Sequence, residues 1–241
     1  ERVVEELGYD ALKFDLDVPS GLEKDRANRH LRGPEIDHKV EIVEAVTEAV
    51  GDRAEVAFDC PWSFTGGSAK RLARELAEYD AWWLEDPVPP ENHDVQRDVT
   101  QSTTTPIAVG ENVYRKFGQR TLLQPQAVDI IAPDLPRVGG MRETRKIADF
   151  ADMYYIPVAM HNVSSPIGTM ASAQVAAAIP NSLAVEYHSY ELGWWEDLVE
   201  EDGLIQEGRM EIPEKPGLGL TLDLDVVEEN MIAGETLFDE G

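Results

Sequence analysis

Short apolar runs recur along this 241-residue chain, and nearly every one ends in a titratable residue. "EVAFD" ends at Asp59, "AWWLE" at Glu85, and "PIAVG" leads into Glu111. "VDIIAPD" then ends at Asp134, "IPVAMH" at His161, and "LAVEY" carries Glu186. The steps between these residues are 26, 26, 23, 27 and 25, the length of one strand-plus-helix unit. "ALKFD" at 11–15 opens the series with Lys13 and Asp15. Between the strands, 37–51, 67–79 and 143–154 carry apolar residues at helical spacing. Alternating strands and helices predict an α/β fold with a parallel sheet and crossover helices. Seven strands fit either an open doubly wound sheet or most of a barrel. Neither a Gly-rich dinucleotide fingerprint nor a P-loop occurs, and "RVGGM" at 137–141 has the wrong spacing. The polar strand ends favour a TIM-like barrel, whose active residues come from the C-terminal ends of many strands around one mouth.

Charge narrows the partners. Asp and Glu number 47 against 21 Lys and Arg, a formal net charge of −26. Such a surface repels nucleic acid and anionic membranes. Acids are spread along the whole chain and only seven of the basic residues are lysines. That pattern points to adaptation to high salt, where self-repulsion is screened. There is no apolar run of about 18 residues, and the start "ERVVEELGYD" is unlike a signal peptide. Cys60 is the only cysteine, so no intrachain disulfide forms, which fits a reducing cytoplasm. We read Cys60, Trp82 and Trp83 as packing residues. "GWWED" at 193–197 fits a subunit contact or a lid equally well. The long polar loop 17–36 is placed to cover a site.

Any one acid at a strand end can be a helix N-cap or an ion-pair partner. Three on adjacent strand ends, Asp59, Glu85 and Glu111, would repel and take up protons unless a cation joined them. An all-oxygen donor set suits Mg²⁺, which tolerates few protein ligands and keeps positions open for substrate. Asp134 and His161 follow on the next two strands. An Asp beside a His fixes the ring tautomer and raises its basicity. Glu186, one strand on, is placed to hydrogen-bond a substrate carboxylate or enediolate if protonated.

"VAFDCPW", "WWLEDPVPPEN", "PIAVGEN", "VDIIAPDLPRVGGM" and "PVAMHNVSSPIG" together resemble successive strand ends of the enolase superfamily, mandelate racemase/muconate lactonizing enzyme subgroup. The likeness is greatest to its sugar-acid dehydratases of the galactonate and gluconate type. It runs from about residue 8 to "PGLGL" at 216–220. The resemblance implies a (β/α)7β barrel in which Asp59, Glu85 and Glu111 bind Mg²⁺. It makes His161 the catalytic base or acid, Asp134 its dyad partner and Glu186 the supporting carboxyl. Lys13 becomes the first lysine of a Lys-x-Lys motif.

Two positions depart from that pattern. Asp15 stands where the second lysine would be, which argues against a two-base racemase. Pro61 stands where galactonate-type dehydratases have a histidine, so the acid for the leaving group is open among His161, His30, His38, Lys13 and a bound water. The family's N-terminal capping domain and first strand have no counterpart before 11–15. The chain therefore reads as a fragment, or as one given without its disordered residues, with a C-terminus that looks complete. Residues 1–215 are expected to form strands two to eight of an incomplete barrel, and 216–241 to pack on the capping domain. The implied reaction is loss of water from an aldonate such as gluconate, galactonate or xylonate, giving a 2-keto-3-deoxy acid. A hydroxy-acid racemase or epimerase, and a non-catalytic metal-binding barrel, are the alternatives. The partners expected are a small sugar acid and further copies of the same chain.

Overall fold

The computed structural model describes residues 2–18, 30–188 and 193–237. Seven parallel strands form one sheet: β1 (Ala11–Asp15), β2 (Glu55–Asp59), β3 (Leu84–Glu85), β4 (Ile107–Val109), β5 (Ile130–Ile131), β6 (Val158–Met160) and β7 (Ser182–Val185). Each strand pairs with its neighbours in chain order, the expected arrangement of an incomplete TIM-like barrel. Most of the strands are shorter than the apolar runs suggested. In "AWWLE" only the last two residues are strand, yet Trp82 N–H donates to the Val56 carbonyl at 2.8 Å and Phe58 N–H to that of Trp83 at 2.9 Å. The extended run thus begins before the regular ladder.

Helices connect the strands: α1 (Gly33–Val50), α2 (Gly66–Glu75), α3 (His93–Thr100), α4 (Arg115–Leu123), α5 (Leu135–Val138), α6 (Met141–Asp152) and α7 (Pro166–Ala177). Local chemistry sets their starts. Pro34 lies in the first turn of α1, and the Glu35 carboxylate accepts the Arg32 backbone N–H at 2.7 Å. Thr65 caps α2, and Asn92 caps α3 through the Val95 N–H at 3.2 Å. Because α1 begins at Gly33, the polar loop is shorter than expected, and its residues 19–29 lie outside the described residues.

The two faces of the sheet carry different residues, as the two-residue period of a strand requires. Phe58, Leu84, Ile107, Ile131 and Val158 point outward and share the main core with Leu72, Leu122 and Ile147 of the helices. Inside, Ala57, Ala108 and Ala159 are small, and Trp83 and Ile130 fill the space between them. The C-terminal part follows as a hairpin of β8 (Ile205–Gln206) and β9 (Arg209–Met210), then α8 (Leu224–Glu229). The segment from 216 is tied to this domain: Glu200 N–H donates to the Thr221 carbonyl at 2.9 Å, and Asp223 N–H to that of Leu198 at 3.1 Å. No helix among the described residues is long and apolar enough to cross a membrane.

Candidate active site

The parallel register brings the strand-end acids together. Asp59 and Glu85 close β2 and β3 directly opposite each other. Glu111 lies two residues past β4, where the chain must turn inward. Gly110 makes that turn possible, because a Cβ there would stand 2.9 Å from the Ala132 backbone. Ligand atoms of Asp59, Glu85 and Glu111 all lie within 4.8 Å of one another, and the last two residues are buried.

Lys13, on the inner side of β1, supplies positive charge beside this cluster. Its Nζ is 3.2 Å from Asp59 Oδ2, 3.0 Å from Glu85 Oε1 and 3.0 Å from Glu186 Oε1. Burial disfavours its ammonium, but Glu85, Glu186 and Asp59 outweigh burial and hold Lys13 protonated well above the ordinary lysine range. One cation is too little for the cluster. Burial, then the Glu85 charge, pushes the Asp59 carboxyl up to about 7, against the pull of Lys13. Burial also raises Glu85, again against Lys13. Asp59 Oδ1 and Glu85 Oε1 are buried without a hydrogen-bond partner. Lys13 Nζ reaches the latter at 3.0 Å as an ion pair. Oxygen donors with unspent lone pairs in a carboxylate cradle fit a hard divalent cation.

The other Glu85 oxygen is already taken. Trp83 Nε1 donates to Glu85 Oε2 at 2.8 Å. Residues 83 and 85 share the inner face of one strand, so the indole sits directly below the acid. Trp83 is therefore a core residue that also orients the site, a part not read from the sequence. The turn after Glu85 is tight: Asp86 is buried at φ 42°, and its Oδ2 accepts the Trp62 indole N–H at 3.0 Å.

On the far side, Asp134 caps α5 through the Arg137 N–H at 3.0 Å and turns its other oxygen to His161 Nδ1 at 2.8 Å. An ionised carboxylate only accepts, so Nδ1 carries the proton and donates. Burial raises the Asp134 carboxyl, but its bonds to His161 and Arg137 prevail and hold it below the usual range. His161 Nε2 lies 2.9 Å from Glu111 Oε2 and 3.9 Å from Glu186 Oε2. Burial opposes charge on the ring, yet the bonds to Asp134 and Glu111 push it up to about 10. Glu186 Oε2 accepts the Asn162 backbone N–H at 3.1 Å, and Asn162 Nδ2 donates to the Glu186 carbonyl at 2.9 Å. Arg137 Nη1 stands 3.4 Å from Glu111 Oε1.

Thus all seven residues singled out from the sequence meet at the C-terminal end of the sheet. A cavity of about 890 Å³ between β1 and β7 opens onto Lys13, Asp59, Glu85, His161 and Glu186, and is also lined by Asp15 and His188. Two proposed proton donors fall elsewhere. His38 sits on α1 with its ring 3.5 Å from Glu41, and neither it nor His30 lines the cavity. Arg137, Asn162 and His188 were not anticipated. Each lies within three residues of a strand-end acid or histidine, and that proximity was the available signal.

A family model described as "Enolase C-terminal domain-like" matches residues 1–226. A D-xylonate dehydratase of Haloferax volcanii is 90% identical over 239 residues, covering 99% of this chain and 58% of the relative. A D-gluconate dehydratase of Thermoproteus tenax is 28% identical, over 92% of this chain and 44% of the relative. The crystal structure of a mandelate racemase/muconate lactonizing enzyme-like protein from Rubrobacter xylanophilus superposes with a TM-score of 0.93 at 43% identity, covering 98% of this chain and 61% of that one. The chain thus spans roughly half of the length of the curated relatives it matches. With the parallel barrel sheet and the acids at its strand ends, these matches make the chain a member of the enolase C-terminal domain-like family.

Proposed function

We propose that the whole protein is a Mg²⁺-dependent sugar-acid dehydratase that removes water from a linear aldonate, D-xylonate first among them, to give a 2-keto-3-deoxy acid. The observation that carries this reading is the double position of Glu111. It completes the three-acid group and also stands 2.9 Å from His161 Nε2. A base therefore adjoins the place where a 2-hydroxy acid would be held by its carboxylate end.

Asp59, Glu85 and Glu111 would hold the cation, which when bound supplies positive charge that withdraws electrons from the substrate carboxylate and eases loss of the α-proton. The ring and a bound cation would compete for the Glu111 carboxylate, so that His161, then neutral at Nε2, takes that proton there. Asp134 keeps the Nδ1 proton in place and stabilises the imidazolium that results. Lys13 faces the same site with a fixed ammonium, placed to stabilise negative charge developing on the substrate carboxylate. Glu186 contributes when protonated, as a donor to that carboxylate. Because three carboxylates hold Lys13 charged, it is a poor second base. That counts against the racemase reading, as does Asp15 in place of a second lysine.

The test is direct. The whole protein, in concentrated KCl with Mg²⁺, is incubated with D-xylonate, D-gluconate and D-galactonate, and 2-keto-3-deoxy acid is measured with His161→Asn as control. Product from one or two sugars, absent in the variant, is expected. Exchange of the α-proton for deuterium without water loss would point instead to an epimerase. Metal binding with neither signal would point to a binding protein.

A further inference from the structure

His161 lies between two carboxylates, and one further residue joins those carboxylates to each other. The ring Nδ1 donates to Asp134 Oδ2 at 2.8 Å, and Nε2 lies 2.9 Å from Glu111 Oε2. Arg137 meets both acids. Its Nη1 donates to Glu111 Oε1 at 3.4 Å, and its Nε stands 3.6 Å from Asp134 Oδ2. Arg137, Glu111, His161 and Asp134 thus form a closed circuit just past the ends of β4, β5 and β6.

Local chain geometry holds Arg137 in this place. Asp134 caps α5 by accepting the Arg137 backbone N–H at 3.0 Å through Oδ1. Asp134 therefore meets the Arg137 main chain at one oxygen and its guanidinium at the other. Gly139 ends this single turn of helix at φ 116°, a conformation that favours glycine. Asn112 completes the frame: its Oδ1 accepts from Arg137 Nη1 at 3.4 Å, and its Nδ2 donates to Glu111 Oε1 at 3.3 Å. Two donors on Oε1 set the rotation of the Glu111 carboxylate, so Oε2 is the oxygen presented to the ring. A planar guanidinium, with five donors in a fixed fork, is suited to span two acids in this way. Arg137 is not among the residues that line the cavity, so any effect it has on the reaction passes through its neighbours.

We propose that Arg137 is a positioning residue: a strut between Glu111 and Asp134 that holds His161 Nε2 at a fixed place relative to the three-acid group. Its bearing on turnover rests on the dehydratase reading above. The Arg137 side chain is 42% exposed, so its ion pairs add little to stability. Its removal should therefore slow the reaction far more than it weakens the fold.

Arg137→Gln and Arg137→Ala in the whole protein test this, in concentrated KCl at saturating Mg²⁺. Both should lower kcat for an aldonate by about 10- to 100-fold, with KM and the urea midpoint near those of the wild type. Arg137→Lys should recover little, because an ammonium is a point charge that cannot span both acids. Millimolar guanidinium added to Arg137→Ala should restore part of the rate, since planar donors and not charge alone are missing. The proton on His161 Nδ1 gives a readout without metal or substrate. Its low-field magnetic resonance signal, recognised by its loss in His161→Asn, should shift in Arg137→Gln. Unchanged kcat would overturn the strut, as would a loss of kcat matched by a lower urea midpoint and not restored by guanidinium. An unshifted signal would overturn it whether or not any aldonate is turned over. A wild-type protein inert to every aldonate would instead remove the dehydratase reading, and with it the reaction that Arg137 serves.

Discussion

The site has two halves that solve opposite electrostatic problems. On β2 to β4, three carboxylates crowd one another, and two of their buried oxygens lack hydrogen bonds. On β5 to β7, every charged group has a partner: Asp134 with His161 and Arg137, and Glu186 with Asn162 and Lys13. The first half is incomplete without added positive charge, and the second is already oriented. Glu111 belongs to both, and Lys13 reaches across them. Burial makes the contrast costly to maintain, since unpaired charge in a low-dielectric site is strongly disfavoured. The halves should therefore fail in different ways when residues are removed.

Glu111→Gln should have the largest effect, because it weakens both halves at once: Mn²⁺ binding, followed by electron paramagnetic resonance, and dehydration should both be lost. Glu85→Gln should lower metal affinity by more than the roughly 10- to 100-fold typical of outer-sphere partners. His161→Asn should do the reverse, with turnover down by about 10²–10⁴-fold and Mn²⁺ affinity near that of the wild type. If His161→Asn also abolished metal binding, the division into halves would be wrong. Asp134→Asn should resemble His161→Asn more weakly, since it disturbs the ring's tautomer and leaves the ring in place.

How legible the halves are in the sequence follows from how each is built. The acid half depends mostly on strand period and parallel register, with Gly110 turning the chain past β4, so an even spacing of 26 residues was enough to bring Asp59, Glu85 and Glu111 to one end of the sheet. The Asp134–His161 contact comes from the same rule. What was missed depends on side-chain direction or on weak periodicity. The Trp83–Glu85 bond needs both residues on one face of a strand that forms only two residues of ladder. Helix α4 contains Gly118 and few apolar residues. Helix α7 is apolar nearly all round, with Met170, Ala171, Ala173 and Val175 buried, so its pattern shows no single face. His188 follows its strand in a segment with no period at all. His38, proposed for the cavity, was lost to α1, whose surface takes the ring away.

Trp83 sharpens the comparison from below. Trp83→Phe keeps an aromatic ring among Ala57, Ala108 and Ala159 but removes the donor to Glu85 Oε2. That oxygen is then buried without its partner, and the carboxylate is free to rotate. Mn²⁺ affinity should fall by about 10- to 100-fold while the relay half is unchanged, so residual turnover at saturating metal should keep the wild-type pH profile. Trp82→Phe removes a similar ring from the edge of the same cluster without touching an acid, and it should leave metal affinity unaltered. Equal effects from the two variants would mean that Trp83 acts only by filling space.

The smallest effect should come from Asn162, on the satisfied side. Its backbone N–H holds Glu186 Oε2 and survives any side-chain change. Its amide donates to the Glu186 carbonyl and to Thr169 Oγ1, both at 2.9 Å. Asn162→Ala removes those two bonds. Thr169 keeps the Ser164 carbonyl as acceptor at 3.3 Å, and the half-buried Glu186 carbonyl remains within reach of water. A net loss of about 1 kcal/mol is expected, read as a shift of the urea midpoint at constant slope. The same loss placed wholly on turnover is less than about tenfold. Metal affinity should not move. If it did, strain at β6 and β7 would be reaching the acids on β2 to β4. The route for that strain is Glu186 through Lys13, the contact by which one ammonium already serves both halves.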